Sequence, residues 1–382
     1  MKKLVFFSNF LNHHQVPLAD AFYEILGDDY AFVATKPAEE EHLKGGKDYS
    51  SRAYCVVASK DDISRQHAME LARTAEVCVF GANSLEYAIA RAKQPNCGLS
   101  FEFSERWLKR GWINILSPHL QKWWWTYQRY FRNRSFYKLN ASGFAAKDHL
   151  KLHTYQGRCY KWGYFTAIDE EKKVEASLDV STSRIAPTFM WCARFLKLKH
   201  PELPVLMAER LVRKGYDFSL DFYGNGSEEE PTRKLVEEKG LGDVIKFHGA
   251  LPNAEVLKEM KRHDIFLFTS DSNEGWGAVA NESMSQGCVL VVSDAIGCTP
   301  FLVKHRKNGM VFKSCDVDSL TEQAEWLLDH PQEMKIMQQA AIDTMHKVWS
   351  PKNAAHNFLK LVDDLQNNRE CSVMEGPGSK DL

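Results

Sequence analysis

The chain has 382 residues, enough for two domains of ordinary size, and its 44% hydrophobic and 26% charged residues are the composition of a globular protein. A formal net charge of −1 gives no global attraction for nucleic acid or membrane, so any such contact must be local. Nine scattered cysteines with no C-x-x-C pair argue against a zinc or disulfide framework and suit reduced thiols in a cytosolic setting.

The opening Met1-Lys2-Lys3-Leu4-Val5-Phe6-Phe7-Ser8 has too few apolar residues for a signal peptide and reads as a first buried strand. No apolar run approaches the roughly 20 residues needed to span a bilayer, so the expectation is a soluble or surface-bound protein. A helix near Val16 to Leu26 and a strand at Tyr30 to Ala34 follow. Next come a helix over Ser64 to Thr74, the strand Val77 to Phe80, a helix over Leu85 to Ala92 and a strand from Gly98 to Phe103. This alternation predicts an α/β domain with a parallel sheet covered by helices on both faces. Trp107 to Lys147 contains no acid and carries Lys109, Arg110, Lys122, Arg129, Arg132, Arg134, Lys138 and Lys147 among tryptophans and tyrosines. Cations interleaved with aromatics suit an anionic membrane surface. No recognised nucleic-acid module surrounds them.

The charged stretch Asp169 to Ser183 reads as a linker. A second series then begins, with strands at Pro187 to Ala193, Phe218 to Tyr223, Val244 to Phe247, Ile265 to Thr269 and Val289 to Val292, and helices in the gaps. Ser350 and Pro351 open a last helix whose stripe is Ala354, Phe358, Leu361 and Leu365. The domains are expected at 1–168, joined by the returning helix 351–367, and at 184–350. Residues 368–382 are polar, contain Glu-Gly-Pro-Gly-Ser-Lys and read as a disordered tail.

The chemistry concentrates in the second series. Glu274-Gly275-Trp276-Gly277-Ala278-Val279-Ala280-Asn281-Glu282 lies between two buried strands, where a glycine-bearing turn enters a helix. The unpaired amides of such a helix start suit a phosphate, and a carboxylate at each end suits sugar hydroxyls, so together they point to a nucleotide-sugar. Eight residues of helix span roughly 12 Å, longer than the roughly 5 to 9.5 Å between the carboxylates of a glycosidase. That spacing weighs against hydrolysis. Arg194 and Lys199 follow the first strand of this series and make a diphosphate clamp of a planar fork and a compact charge. Gly224-Asn225-Gly226 closes another strand and permits close backbone approach. The D-x-D of Asp316 and Asp318 directly precedes a helical run and reads as a helix start, so no metal and no cofactor are expected.

These residues resemble the GT-B-fold retaining glycosyltransferases of family 4, which include many bacterial polysaccharide and lipid glycosylating enzymes. The likeness covers most of the second domain: Arg194 to Lys199, Gly224-Asn225-Gly226, Phe247-His248-Gly249, Ser270, Glu274 through Gly287, Asn308-Gly309 and the last helix. The first domain matches only in its strand–helix rhythm. The resemblance implies two Rossmann-like domains facing across a cleft, with a C-terminal helix crossing back to the first. It implies that Arg194 and Lys199 hold the donor diphosphate, Glu282 the ribose and Glu274 the donor sugar. The backbone of Gly275, Trp276, Gly277, Ala278 and Val279 would line the sugar and phosphate, and Gly249, Ala250 and Leu251 would meet the base.

The chain departs from that pattern where Cys298, Thr299, Pro300 and Phe301 follow Gly297, and where Asn9 to Gln15 replace a glycine-rich first loop. The place of a first-domain histidine is open between Glu102, which would join the catalytic set, and His13 or His14, which with Asn9 would join donor binding. The expected partners are a nucleotide-sugar donor and a glycan or lipid-linked acceptor, in bacterial surface polysaccharide assembly on the cytoplasmic side. A nucleotide-sugar epimerase and a silent nucleotide-sugar-binding subunit are the alternatives.

Overall fold

The structure is a computed structural model that describes residues 1–37, 48–109, 111–168 and 186–382. Arg110 and the expected linker at 169–183 lie outside the described residues. The chain divides into two compact units, Met1–Ala167 with Val348–Leu382, and Ile168–Lys347.

The first unit runs β1 (Leu4–Ser8), α1 (Val16–Leu26), β2 (Tyr30–Ala34), β3 (Cys55–Val57), α2 (Asp62–Thr74), β4 (Val77–Phe80), α3 (Leu85–Ala92), β5 (Leu99–Ser104), α4 (Pro118–Thr126), β6 (Phe136–Asn140), α5 (Ala145–Lys151) and β7 (Cys159–Lys161). The strands pair in parallel in the order β3-β2-β1-β4-β5-β6-β7. β1, β2 and β4 are buried at every position, because helices cover both faces of the sheet. The sequence reading missed β3, β6 and β7. β3 and β7 are three residues long, and β6 carries Lys138 inside a segment whose aromatic and basic character masks a strand.

The second unit runs β8 (Thr188–Cys192), α6 (Glu202–Arg213), β9 (Ser219–Tyr223), α7 (Glu229–Glu238), β10 (Ile245–Phe247), α8 (Asn253–Met260), β11 (Ile265–Phe268), α9 (Val279–Ser285), β12 (Val289–Ser293), α10 (Thr299–Leu302), β13 (Gly309–Phe312), α11 (Val317–Asp329) and α12 (Pro331–Asp343). Its parallel order is β10-β9-β8-β11-β12-β13, the 3-2-1-4-5-6 pattern of a doubly wound sheet. Its core joins Phe189, Trp191, Leu220, Phe222, Ile265, Leu267, Val289 and Val291.

The last helix, α13 (Pro351–Gln366), returns to the first unit. Ser350 Oγ accepts from the Asn353 amide at 3.2 Å and Pro351 occupies the first turn, as the sequence predicts. Phe358 meets the edges of Phe22 at 5.6 Å and Phe101 at 5.0 Å, which seats the helix on the first sheet's helices and strands.

The tail read as disordered is instead packed on that unit. Asp364 of α13 accepts from the Ser372 amide at 2.8 Å and hydroxyl at 2.6 Å. Gly376 and Gly378, both with positive φ, turn the chain onto the edge of β7. There Lys161 N donates to Ser379 O and Gly378 N to Lys161 O, each at 2.8 Å. The Asn140 amide donates to the buried Asp381 carboxylate at 2.7 Å. Composition misled the reading because the Gly-Pro-Gly run serves as turn geometry, and the partner that satisfies this polar backbone, an open sheet edge, is remote in sequence. Among the described residues no helix is long and apolar enough to cross a membrane.

Candidate active site

In the second sheet the strand order reverses between β8 and β11, and ligands of doubly wound sheets bind beyond the carboxyl ends of the strands at that point. The loops leaving these two strands carry the residues singled out in the sequence. Lys199 closes a 3-10 turn after β8 and its ammonium pairs with the Glu274 carboxylate from the loop after β11, each side chain 15% exposed. The Lys199 ammonium also stands 5.7 Å from the centre of the Phe268 ring. Buried contacts fix the position of the loop. Trp191 Nε1 donates to Thr269 Oγ1 at 3.0 Å, and that hydroxyl donates to Lys199 O at 2.6 Å. The Asp271 amide donates to Leu198 O at 3.0 Å. Arg194 lies on the same loop, exposed and with no carboxylate partner among the described residues. Ser270 Oγ, at the end of β11, is buried with no hydrogen-bond partner among the described residues.

The turn from Glu274 into α9 is shaped by contact. Gly277 has φ +83°, and a Cβ there would lie 2.5 Å from the Phe268 ring, so both conformation and space require glycine. The amides of Gly277, Ala278 and Val279 have no acceptor among the described residues, as the opening turn of a helix leaves them. The Trp276 side chain is core rather than site: it is 1% exposed and Nε1 donates to Asn281 Oδ1 at 2.8 Å. Only its backbone can line a ligand. Glu282 is buried on α9 and accepts from Asn253 Nδ2 at 2.9 Å. Burial raises its carboxyl above the usual range, and the Asn253 bond partly offsets that. Glu282 in turn adds to the burial that pushes the Cys192 thiol at the end of β8 up to about 12.

The neighbouring strand ends complete the rim. Gly224, with φ +125°, would place a Cβ 1.9 Å from Ala193 O, and Gly226, with φ +148°, would place one 2.4 Å from Phe195 O. Their glycines let the β9 loop lie directly on the Arg194 loop, joined where Phe195 N donates to Asn225 O at 2.8 Å. Gly224 N donates to Gly249 O at 2.8 Å, which brings exposed Ala250 and Leu251 alongside. The structure therefore gathers Lys199, Glu274, Gly224, Gly226, Ala250 and Leu251 on one sheet edge, with Arg194 on the same loops and Glu282 beside the end of β8. Sequence reasoning missed Thr269 and Asn253, which position Lys199 and Glu282. Asn253 begins a helix and so reads as an ordinary helix start. Asp316 caps α11 by accepting from the Ser319 amide at 3.0 Å, and Asp318 pairs with Arg210, so both acids of the D-x-D have protein partners.

The first-domain candidates belong to the first sheet. Asn9, His13 and His14 follow β1, which borders β4 where the first sheet's order also reverses. The His13 and His14 rings are 3.8 Å apart, and burial followed by the neighbouring His13 lowers His14 to about 4. Glu102 has two strong partners. Its two oxygens accept from Lys138 Nζ and Tyr155 Oη, each at 2.6 Å, and the residue is 3% exposed. The carboxylate holds β5 to β6 through Lys138, and it also lines a cavity of about 330 Å3 with Ser104, Arg106, Asn114 and His119.

Comparison with known proteins bears on the second domain and on the fold. Residues 184–344 match the family model described as glycosyl transferases group 1. A 93-residue stretch is 30% identical to the UDP-N-acetylglucosamine–peptide N-acetylglucosaminyltransferase GtfA subunit of Streptococcus gordonii, covering 24% of this chain and 18% of that one. Another 150 residues are 27% identical to the GDP-mannose-dependent alpha-(1-6)-phosphatidylinositol monomannoside mannosyltransferase of Mycobacterium tuberculosis, covering 37% and 39%. The chain thus spans well under half the length of these curated relatives. The solved structure of Anabaena Alr3699/HepE in complex with UDP superposes with a TM-score of 0.67 at 14% identity, over 96% of this chain and 100% of that one. At that identity the likeness speaks to fold. In fold the chain is a GT-B protein of two Rossmann-like domains, and its second domain is similar in sequence to the group 1 glycosyl transferases.

Proposed function

We propose that this protein is a retaining glycosyltransferase of the family 4 type, which moves a sugar from a nucleoside-diphosphate donor to a glycan or lipid-linked glycan in bacterial surface polysaccharide assembly. The observation that carries the proposal is the Lys199–Glu274 pair across the β8–β11 reversal, with the free amides of the α9 turn beside it. A diphosphate placed there meets Arg194, Lys199 and those amides, while Glu282 accepts from ribose hydroxyls and Glu274 from the donor sugar. Ala250 and Leu251 border the base.

In the reaction the acceptor hydroxyl oxygen bonds to the anomeric carbon as the bond from that carbon to the β-phosphate oxygen breaks. The electron pair leaves with the nucleoside diphosphate, and the acceptor's proton passes to the departing phosphate oxygen on the same face. The protein's task is to hold both substrates and to neutralise charge growing on that phosphate. We assign that neutralisation to Arg194, Lys199 and the amides and assign no cofactor or metal to it.

The segment 107–147 supports a place at the inner face of an anionic membrane. From Gly111 to Ala167 the sequence has nine Lys and Arg, of which Lys138 is buried and the other eight are not, against one acid, Asp148, which is buried under a paired Arg106. Such a surface attracts anionic headgroups.

A thermal-shift panel of nucleoside diphosphates and their sugars tests the donor site, since a ligand at 100 times its dissociation constant stabilises by roughly 2.7 kcal/mol. One base is expected to stand out. A panel that shifts nothing overturns the reading. Product with inverted anomeric configuration by NMR would refute retention, and donor conversion without acceptor would favour an epimerase.

A further inference from the structure

His200 follows Lys199 in the chain and has φ +49°, in the left-handed region that favours glycine. Its ring is held from two sides. Nδ1 stands 2.8 Å from Glu202 Oε1, in the first turn of α6, and Nε2 stands 3.4 Å from Asp271 Oδ2, on the loop after β11. Asp271 is itself fixed, because its Oδ1 accepts from the Asn273 amide at 2.8 Å and from Asn273 Nδ2 at 3.0 Å. The third titratable group facing the ring is Cys315, on the loop between β13 and α11, whose Sγ lies 3.5 Å from Nε2. Cys315 is left-handed too, with φ +58°. Two residues in a costly backbone conformation therefore meet one residue beyond Lys199.

An ionised carboxylate only accepts hydrogen bonds, so a ring met at both nitrogens by carboxylates carries a hydrogen on each and is a cation. The hydrogen bond to Glu202 raises the imidazole pKa above its ordinary value, burial opposes the rise, and Asp271 adds to it. Two carboxylates balance the charge where it sits, so the ring is suited to holding loops rather than to binding an anion. What it holds is the turn that carries Lys199. Lys199 N donates to Leu196 O at 2.8 Å and His200 N to Lys197 O at 3.2 Å, closing that turn, and Asp271 N reaches Leu198 O across the same junction. Loss of a proton leaves one ring nitrogen with a lone pair facing a carboxylate, and one of the two ties becomes repulsive.

We propose that His200 is a positioning residue for the donor site: as an imidazolium it ties the Lys199 turn to α6 and to the β11 loop, and so sets the Lys199 ammonium for a diphosphate. Proton loss releases the turn. This assignment rests on the glycosyltransferase reading of the site and gives that site a pH dependence. Because the folded pKa is raised, the clamp is complete below the unfolded value of about 6.5 and fades as pH rises through the folded one.

Titration calorimetry of UDP, GDP, ADP and dTDP from pH 6 to pH 9 into the unaltered protein, His200→Gln and Glu202→Gln tests the clamp. The ratio of two proteins' affinities at one pH cancels the nucleotide's own titration. The unaltered protein is expected to bind at least one diphosphate tenfold or more tightly than His200→Gln at pH 6, and less than threefold more tightly at pH 9. Glu202→Gln should move the midpoint of that change to lower pH. A ratio that stays constant with pH, or a midpoint that Glu202→Gln does not move, overturns the proposal. Amide exchange separates it from the donor reading, since Asp271 N donates to Leu198 O without a ligand. Protection of that amide should fall tenfold or more between pH 6 and pH 9 in the unaltered protein, and at pH 6 in His200→Gln. Protection that holds in both cases while a diphosphate still binds sinks the clamp alone. Protection that falls as expected while no diphosphate binds any of the three proteins upholds the clamp and sinks the donor site.

Discussion

Glu102–Lys138 in the first domain and Glu274–Lys199 in the second are both carboxylate–ammonium pairs, the first between adjacent strands and the second between two loops, and they do different work. The first is sealed, with side chains 4% and 0% exposed and a phenol completing the shell. Burial pulls the Lys138 ammonium below its usual range while Glu102 opposes the shift. The second is partly exposed and joins two loops at the sheet's reversal, one carrying Arg194 and the other leading to the α9 amides, both without acceptors or carboxylate partners among the described residues. A buried pair whose remaining bonds are met by Tyr155 and Ser104 is a joint. An open pair can trade its partner for a ligand. The kind of residue does not separate the two cases; the solvent and the unfilled bonding capacity around the pair do.

The largest effect should come from the joint. Glu102→Ala leaves the Lys138 ammonium buried without its counter-charge and should lower stability by about 3–5 kcal/mol, read as the denaturation midpoint. A midpoint within error of the unaltered protein would return Glu102 to the list of site residues. In the second domain Arg194→Ala and Lys199→Ala should fold normally and each lose about 2.7–4 kcal/mol of transition-state stabilisation, a 10²- to 10³-fold fall in kcat. Near-normal turnover would remove that residue from the phosphate clamp. Glu282→Gln should weaken nucleotide binding by about 1.5–3 kcal/mol, the scale of a charged hydrogen bond, measured by calorimetry. Equal affinity would mean that Glu282 serves the Asn253 contact alone.

The smallest effect concerns the docked tail. Burial raises the Asp381 carboxyl to about 6, opposed by the Asn140 amide. A folded pKa above the unfolded one means that the protonated acid favours docking, fully so below about pH 4, and that this contribution fades as pH rises through about 6. Asp381→Asn should therefore gain on the unaltered protein between pH 4 and pH 7, by about 1 kcal/mol or roughly 2–4 °C in Tm. A pH-independent difference would show the carboxyl to be solvated in the folded state.

The same contrast explains what was legible in the sequence. The strands β1, β2, β4, β11 and β12 are continuous apolar runs because two helix layers cover them, and the donor-side residues sit in short local patterns at strand ends. Both signals are contained within about ten residues of chain. β6 was hidden because Lys138 interrupts its apolar run, and the charge is tolerated only because Glu102, on another strand, meets it. The tail's order depends on a β7 edge more than two hundred residues away. The cavity of about 330 Å3 lined by Glu102, Ser104, Arg106, Asn114, His119 and Trp123 likewise draws on β5 and on α4, so no single stretch announces it. The partners of Glu102 are remote in the same way, so the sequence does not show that it is paired.

The central claim is that the carboxyl edge of the second sheet receives a nucleoside diphosphate between basic side chains and a helix start. Titration calorimetry of UDP, GDP, ADP and dTDP into the unaltered protein, Arg194→Ala and Lys199→Ala tests this most directly. The account predicts saturable binding of at least one diphosphate, weakened tenfold or more in both variants while their Tm values hold. Heats indistinguishable from dilution for all four nucleotides, or equal affinities across the three proteins, would contradict it.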